Sequence, residues 1–110
     1  MLIYKVFRAG ERAVLAADGA TAGAPVDLAD GFIHFSTADQ LAGTLAKHFA
    51  GEDGLTLLAV EADTLGADLR WEPSRDGALF PHLYRSLRAS DILWQRPLTR
   101  DGDGFADLPA

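Results

Sequence analysis

The chain reads as an α+β protein folded as a compact single domain, and three observations point there. Short apolar runs rich in β-branched and aromatic residues recur at 2–7, 31–37, 55–61, 69–73 and 92–94. One well-capped amphipathic stretch, Thr37 to Phe49, has the spacing of a helix. The order is irregular, with no internal repeat and no tract of low complexity. At 110 residues the chain has room for a genuine core, and its 48% apolar and 24% charged residues are those of an ordinary globular protein.

Taken in order, residues 2–7 alternate, with Leu2, Tyr4 and Val6 on one face and Ile3, Lys5 and Phe7 on the other. Apolar groups on both faces predict a strand inside a sheet. Ala9 to Asp18 favours a short helix closed by Gly19. Residues 19–30, GATAGAPVDLAD, have loop composition; a ligand flap and a plain connector with an extended piece at 25–28 are both open readings.

Gly31 to Thr37, GFIHFST, is the stretch around which the rest is organised. It reads as a strand running into a helix start, with Phe32, His34 and Ser36 on one face and Ile33, Phe35 and Thr37 on the other. Thr37 with Gln40 forms a capping-box pattern for the helix, whose Ala38, Leu41, Leu45 and Phe49 face the core. His48, in its last turn, suits the helix dipole.

Residues 55–61 then form a buried strand, and 62–65 a turn or short helix. Leu69 to Pro73 is a strand ended by proline, with Trp71 and Glu72 on opposite faces. A turn-rich segment leads to a second polar and aromatic cluster, Phe80-Pro81-His82-Leu83-Tyr84, and 92–94 is the final strand. The domain thus spans 1–98, and the acidic, glycine-bearing 99–110 is expected to be a flexible tail.

Composition excludes several classes of chemistry. Without cysteine there is no disulfide, thiol nucleophile or cysteine-ligated metal. A net charge of -6 opposes non-specific nucleic-acid binding, which depends on neutralising phosphates. No run approaches the roughly 20 apolar residues of a membrane span, and the start at Met1 is unlike a signal or transit peptide, so a cytoplasmic protein is expected. Phosphate-loop, Gly-x-Ser-x-Gly and HExxH spacings are absent. His34, His82, Glu72 and Asp76 could converge on a metal, but no ligand spacing supports it and none is expected.

The candidate site residues follow from the two clusters. An imidazole at His34, hydroxyls at Ser36 and Thr37 and the first amides of the 38–49 helix suit a polar or anionic small molecule. Lys5, Arg70, Arg75 or Arg85 could add charge, and Trp71 or Tyr84 could stack on a ring. His82 is either a polar contact and general acid–base or an outward histidine beside a core plug. Glu72 is either a surface carboxylate or a catalytic one.

The ordered set Ile3-Tyr4-Lys5-Val6, Asp30 to Thr37 with Gln40, the strand 55–60, Trp71-Glu72 and Phe80 to Tyr84 resembles the bacterial domain-of-unknown-function family 952. The likeness covers residues 2–98 and implies no activity. More distantly, His34 to Asp39, followed by a helix and an apolar strand with an acidic end, is similar to the His-Leu-Ser-Thr-Asp segment of RNA 2′-phosphotransferases. Those enzymes belong to the ADP-ribosyltransferase superfamily, which grips NAD in a cleft between two small antiparallel sheets.

That resemblance implies an ADP-ribosyltransferase-like fold, with two small mostly antiparallel sheets and flanking helices. It also implies NAD or an ADP-ribose-containing nucleotide as small-molecule partner, and glycosyl transfer from NAD if the protein is an enzyme. His34, His82 and Glu72 would be the catalytic set; Lys5, Ser36, Thr37, Trp71 and Tyr84 would bind ligand. The sequence departs from the superfamily where Lys5 stands in place of the histidine of a Tyr-His-Gly strand. Two other readings are a catalytically inactive metabolite-binding module and a protein-interaction domain with structural histidines.

Overall fold

The computed structural model describes residues 1–110; the side chain of Arg75, one of the cations considered above, lies outside the described residues. In chain order the elements are β1 (Leu2–Phe7), α1 (Ala9–Asp18), β2 (Ala20–Thr21), α2 (Pro25–Asp30), β3 (Ile33–His34), α3 (Ala38–His48) and β4 (Thr56–Glu61). A 3-10 segment at Ala62–Asp68 leads to β5 (Leu69–Pro73), β6 (Leu79–Leu83), β7 (Leu87–Arg88), β8 (Ile92–Pro97), β9 (Arg100–Asp101) and β10 (Gly104–Phe105).

Two three-stranded antiparallel sheets dominate, one ordered β1-β4-β8 and the other β3-β6-β5. In the first, β1 and β4 are buried on both faces, while β8 at the edge alternates half-buried and exposed residues. Alternation along β1 and β4 sends Ile3, Phe7, Leu58 and Val60 to one core cluster, where they meet Leu15 of α1 and Ile33, Phe35, Leu83 and Leu87. Tyr4, Val6, Leu57 and Ala59 go to the other, beneath Leu41, Leu45 and Phe49. Each such fully buried aliphatic side chain contributes roughly 1.5–3 kcal/mol, so this double-sided sheet is the main source of stability. The apolar pattern expected for α3 is therefore met by a real partner surface.

The segment after α2 joins the two sheets. In β3, Ile33 is paired with Leu83 and His34 with His82 of β6. Phe35 then donates its N–H to the Pro81 carbonyl at 2.9 Å. One residue later the partner changes: Ser36 and Tyr4 exchange both backbone bonds, at 2.8 and 2.9 Å. A single extended segment thus stitches β6 to β1.

Four expectations are corrected. β1, expected inside its sheet, lies at an edge that Ser36 covers only at Tyr4; its apolar faces reflect cover from above and below rather than strands on both sides. Residues 19–30, expected as a loop, hold β2, which pairs with β7, and the helix α2. Pro25 fits the first turn of α2, Asp27 accepts the Ala24 N–H at 2.8 Å, and Gly31 closes it in the left-handed region at φ 84°.

The final strand runs on to Pro97 rather than stopping at 94, because β4 pairs with it as far as Thr56↔Pro97. The 99–110 segment, expected as a flexible tail, folds back through the β9–β10 hairpin. Phe105 and Leu108 pack against the Leu41–Phe49 cluster, so the tail's few apolar residues anchor it despite its acidic composition. Among the described residues no helix is long and apolar enough to cross a membrane.

Candidate functional site

Directly opposite residues of an antiparallel pair project to the same face, so the His34↔His82 register brings the two imidazoles together. Their rings are 5.2 Å apart and edge-on at 67°. Phe32 stacks on His82 at 4.2 Å and leans on His34 at 4.6 Å. Both histidines line one cavity of about 470 Å³ between α2, α3, β1 and β6. Its wall includes Ser36, Thr44, Phe35 and Phe80, and its rim carries Arg8, Lys47 and His48.

Behind His34 lies a carboxylate that is almost wholly buried. Asp27, 1% exposed, sits at the third position of α2. Its Oδ1 accepts the Nδ1–H of His34 at 2.7 Å, the backbone N–H of His34 at 3.0 Å and the Lys5 ammonium at 3.0 Å. Its Oδ2 forms an ion pair with the Lys5 ammonium at 2.8 Å and accepts the Ala24 N–H at 2.8 Å. Burial alone would raise the Asp27 pKa, but the His34 hydrogen bond and the Lys5 charge outweigh it and hold the carboxyl below its ordinary value. Lys5 is likewise pushed below the ordinary lysine value, because burial penalises its charged form by more than the Asp27 charge and hydrogen bond favour it.

Gly23 makes this packing possible. A Cβ added there would sit 2.7 Å from that of Asp27, and its φ of 105° suits glycine alone. The Gly23 N–H is held by the Thr21 hydroxyl at 3.0 Å. On the cavity side, His34 Nε2 lies 2.9 Å from the half-exposed Asp30 carboxylate at the end of α2.

His82 is held by its own acid. Its Nδ1 lies 2.9 Å from Glu72 Oε1, which also accepts the Tyr84 hydroxyl at 2.6 Å. Glu72 is held below the ordinary glutamate value by the Tyr84 bond and then by His82, and the same bond raises Tyr84 above the usual tyrosine range. The ring of His82 is buried, and its Nε2 has no hydrogen-bond partner among the described residues.

The sequence-predicted residues therefore divide. His34, His82 and Ser36 line the cavity, with the Ser36 hydroxyl 2.7 Å from that of Thr44. Lys5 also borders it, but its ammonium makes contacts to both Asp27 oxygens and donates to the His34 carbonyl at 2.9 Å, so it braces the wall instead of offering a charge to a ligand. Thr37 stands outside the lining and begins α3, its N–H donating to Gln40 at 3.0 Å.

Glu72 acts on the far side of His82 and is not part of the lining. Tyr84 lines a separate hollow with Phe32 and Asp27, and Trp71 another with Met1 and Leu69, so neither stacks within the main cavity. Sequence reasoning missed Asp27, Asp30, Arg8 and Thr44. The signal for Asp27 was local: proline, a gap of one, then aspartate, with glycine four residues on, is the outline of a short helix.

Known proteins add the following. A family model described as protein of unknown function (DUF952) matches residues 6–95. The crystal structure of protein CC0527 from Caulobacter crescentus is 50% identical, has a TM-score of 0.91, and is matched over 96% of this chain and 92% of that one. Its solution structure is likewise 50% identical, with a TM-score of 0.85 over 97% and 92%. No curated protein matches.

Proposed function

The chain belongs to the DUF952 family of proteins of unknown function, and we propose that its His34–His82 cavity binds NAD or another nucleotide containing ADP-ribose. The observation that carries this reading is the placement of two imidazoles, 5.2 Å apart, on the wall of one cavity of about 470 Å³. That volume is within the ordinary range for small-molecule sites. Phe35, Phe80, Leu41 and Phe49 supply an apolar surface for a base or sugar, and Ser36 and Thr44 supply hydroxyls. Lys47 puts positive charge at the mouth, a local field that favours a phosphate, whereas the Arg8 guanidinium beside it is held by Glu52 at 2.7 and 2.9 Å.

Binding is better supported than transfer. Glycosyl transfer from NAD needs a carboxylate near the ribosyl carbon to stabilise the developing positive charge. Glu72 stands behind His82 and outside the lining, Asp27 is buried in its pair with Lys5, and the lining carboxylate Asp30 is engaged by His34 Nε2 at 2.9 Å. The similarity of His34 to Asp39 to the phosphotransferase segment favours the nucleotide class, and a binding module that releases no nicotinamide fits the arrangement of acids.

Calorimetric titration of NAD and ADP-ribose into the full chain and into His34→Ala, alongside an assay for free nicotinamide, tests the reading. Saturable binding weakened by His34→Ala, with no nicotinamide formed, is the expected result. No heat from either nucleotide at millimolar concentration overturns it, and nicotinamide release would restore the transferase reading.

A further inference from the structure

The two carboxylate–imidazole pairs present opposite chemistry to the cavity. A carboxylate only accepts, so Asp27 fixes a proton on His34 Nδ1 and Glu72 fixes one on His82 Nδ1, at 2.7 and 2.9 Å. His34 Nε2 faces a second carboxylate, Asp30, at 2.9 Å, and that contact is a hydrogen bond only if this nitrogen is also protonated. His82 Nε2 faces no partner among the described residues although the residue is only 4% exposed. In the tautomer whose Nδ1–H is directed at Glu72, this nitrogen carries a lone pair. One ring thus offers an N–H and its cross-strand neighbour an acceptor.

We infer that the cavity recognises an anionic oxygen flanked by a hydroxyl or N–H donor, the chemistry of a sugar phosphate, with the oxygen replacing Asp30 on His34 Nε2 and the donor satisfying His82 Nε2. This rests on reading the cavity as a ligand site and specifies what it selects. Asp30 is the member of the cluster able to give way: its side chain is 47% exposed and Gly31 follows it. Asp27, by contrast, is locked by Lys5, Ala24 and His34. Phe32, stacked on His82 at 26°, fixes the plane in which the lone pair points. A buried nitrogen without a partner discriminates strongly, because a ligand lacking the donor leaves it unsatisfied.

Nuclear magnetic resonance titrations of the full chain with D-ribose 5-phosphate and with sulfate, a tetrahedral anion that carries no hydroxyl at neutral pH, test this. Wild type should bind ribose 5-phosphate at least about tenfold more tightly than sulfate, the value of one hydrogen bond that is otherwise left unmade. His82→Phe, which keeps an aromatic ring against Phe32, should reduce that margin below about threefold, and Asp30→Asn should raise sulfate affinity about tenfold. A margin that survives His82→Phe, or sulfate binding weakened by Asp30→Asn, overturns the inference.

The nitrogen-15 spectrum of the imidazoles at neutral pH decides it independently of any variant's folding. A proton on His34 Nε2 and none on His82 Nε2 is expected; a protonated His82 Nε2 overturns the assignment. Ribose 5-phosphate binding as described without affinity for ADP-ribose would sink the nucleotide reading and support this one. ADP-ribose binding indifferent to both substitutions would do the reverse.

Discussion

Asp27 and His34 are joined twice: the same carboxylate oxygen accepts the ring Nδ1–H at 2.7 Å and the backbone N–H at 3.0 Å. The side chain and main chain of the histidine are therefore fixed by one atom of α2, which also carries the buried Lys5 ammonium. Orientation of the cavity wall and charge balance in the core are the same problem here.

Removing one member of that pair should cost far more than removing both. Asp27→Ala leaves the Lys5 ammonium buried without its counter-ion and should lose about 3–5 kcal/mol, whereas Lys5→Met combined with Asp27→Leu should lose much less. Urea midpoints followed by circular dichroism measure both against wild type. Equal losses in the single and double variants would show that the ion pair is not what holds α2 against β1.

The same carboxyl should govern acid stability. Its folded pKa lies below the ordinary 3.8, so its contribution is complete above that value and disappears as pH falls through the lower folded value. Wild type should lose stability more steeply than Asp27→Asn between pH 4 and pH 2, to be read from denaturant midpoints at each pH. Parallel curves would refute the assignment.

Glu72 should be visible through Tyr84. The hydroxyl bond raises Tyr84 above the ordinary tyrosine value of 10.0. In Glu72→Gln the charge is lost, and Tyr84 should ionise at lower pH; ultraviolet titration, with Tyr84→Phe identifying the signal, reads the difference. An unchanged titration would mean that the 2.6 Å contact contributes nothing in solution.

Gly23→Ala should destabilise by about 1–3 kcal/mol, since it forces a left-handed backbone on alanine and pushes a methyl into Asp27. Gly10→Ala, where a Cβ meets nothing within 4 Å, is the matched control and should be neutral or slightly stabilising. Thermal melts of the two variants suffice. Equal melting temperatures would show that the region around Asp27 relaxes freely.

Deletion of residues 99–110 should lower the urea midpoint by the equivalent of about 1–3 kcal/mol, because Phe105 and Leu108 cover the α3 cluster. Phe105→Ala alone should reproduce much of the loss. A truncated chain as stable as the whole would make the hairpin a passive appendage.

How much of this was legible depended on whether the signal was local. β1, β4 and α3 were readable because alternation, a continuous apolar run and a capping box each declare themselves within ten residues. The contact between His34 and His82 was not, since nothing in either segment encodes the β3–β6 register. It arises from pairing between segments far apart in the chain. α2 was hidden by a composition of small residues that also suits a loop, and Asp27 looked like a turn aspartate because its partners, Lys5 and His34, come from other strands. The hairpin after Thr99 did carry a cue, the Asp101-Gly102 and Asp103-Gly104 dipeptides, which acidity masked.

The strand change at Phe35 and Ser36 has a consequence for how the protein assembles. Because one short segment grips β6 with its first half and Tyr4 with its second, the cavity wall exists only once N-terminal, central and late parts of the chain have all met. Helix content can return during refolding before that, so the His34–His82 wall should be the last feature regained and the first to vanish when the chain is stressed.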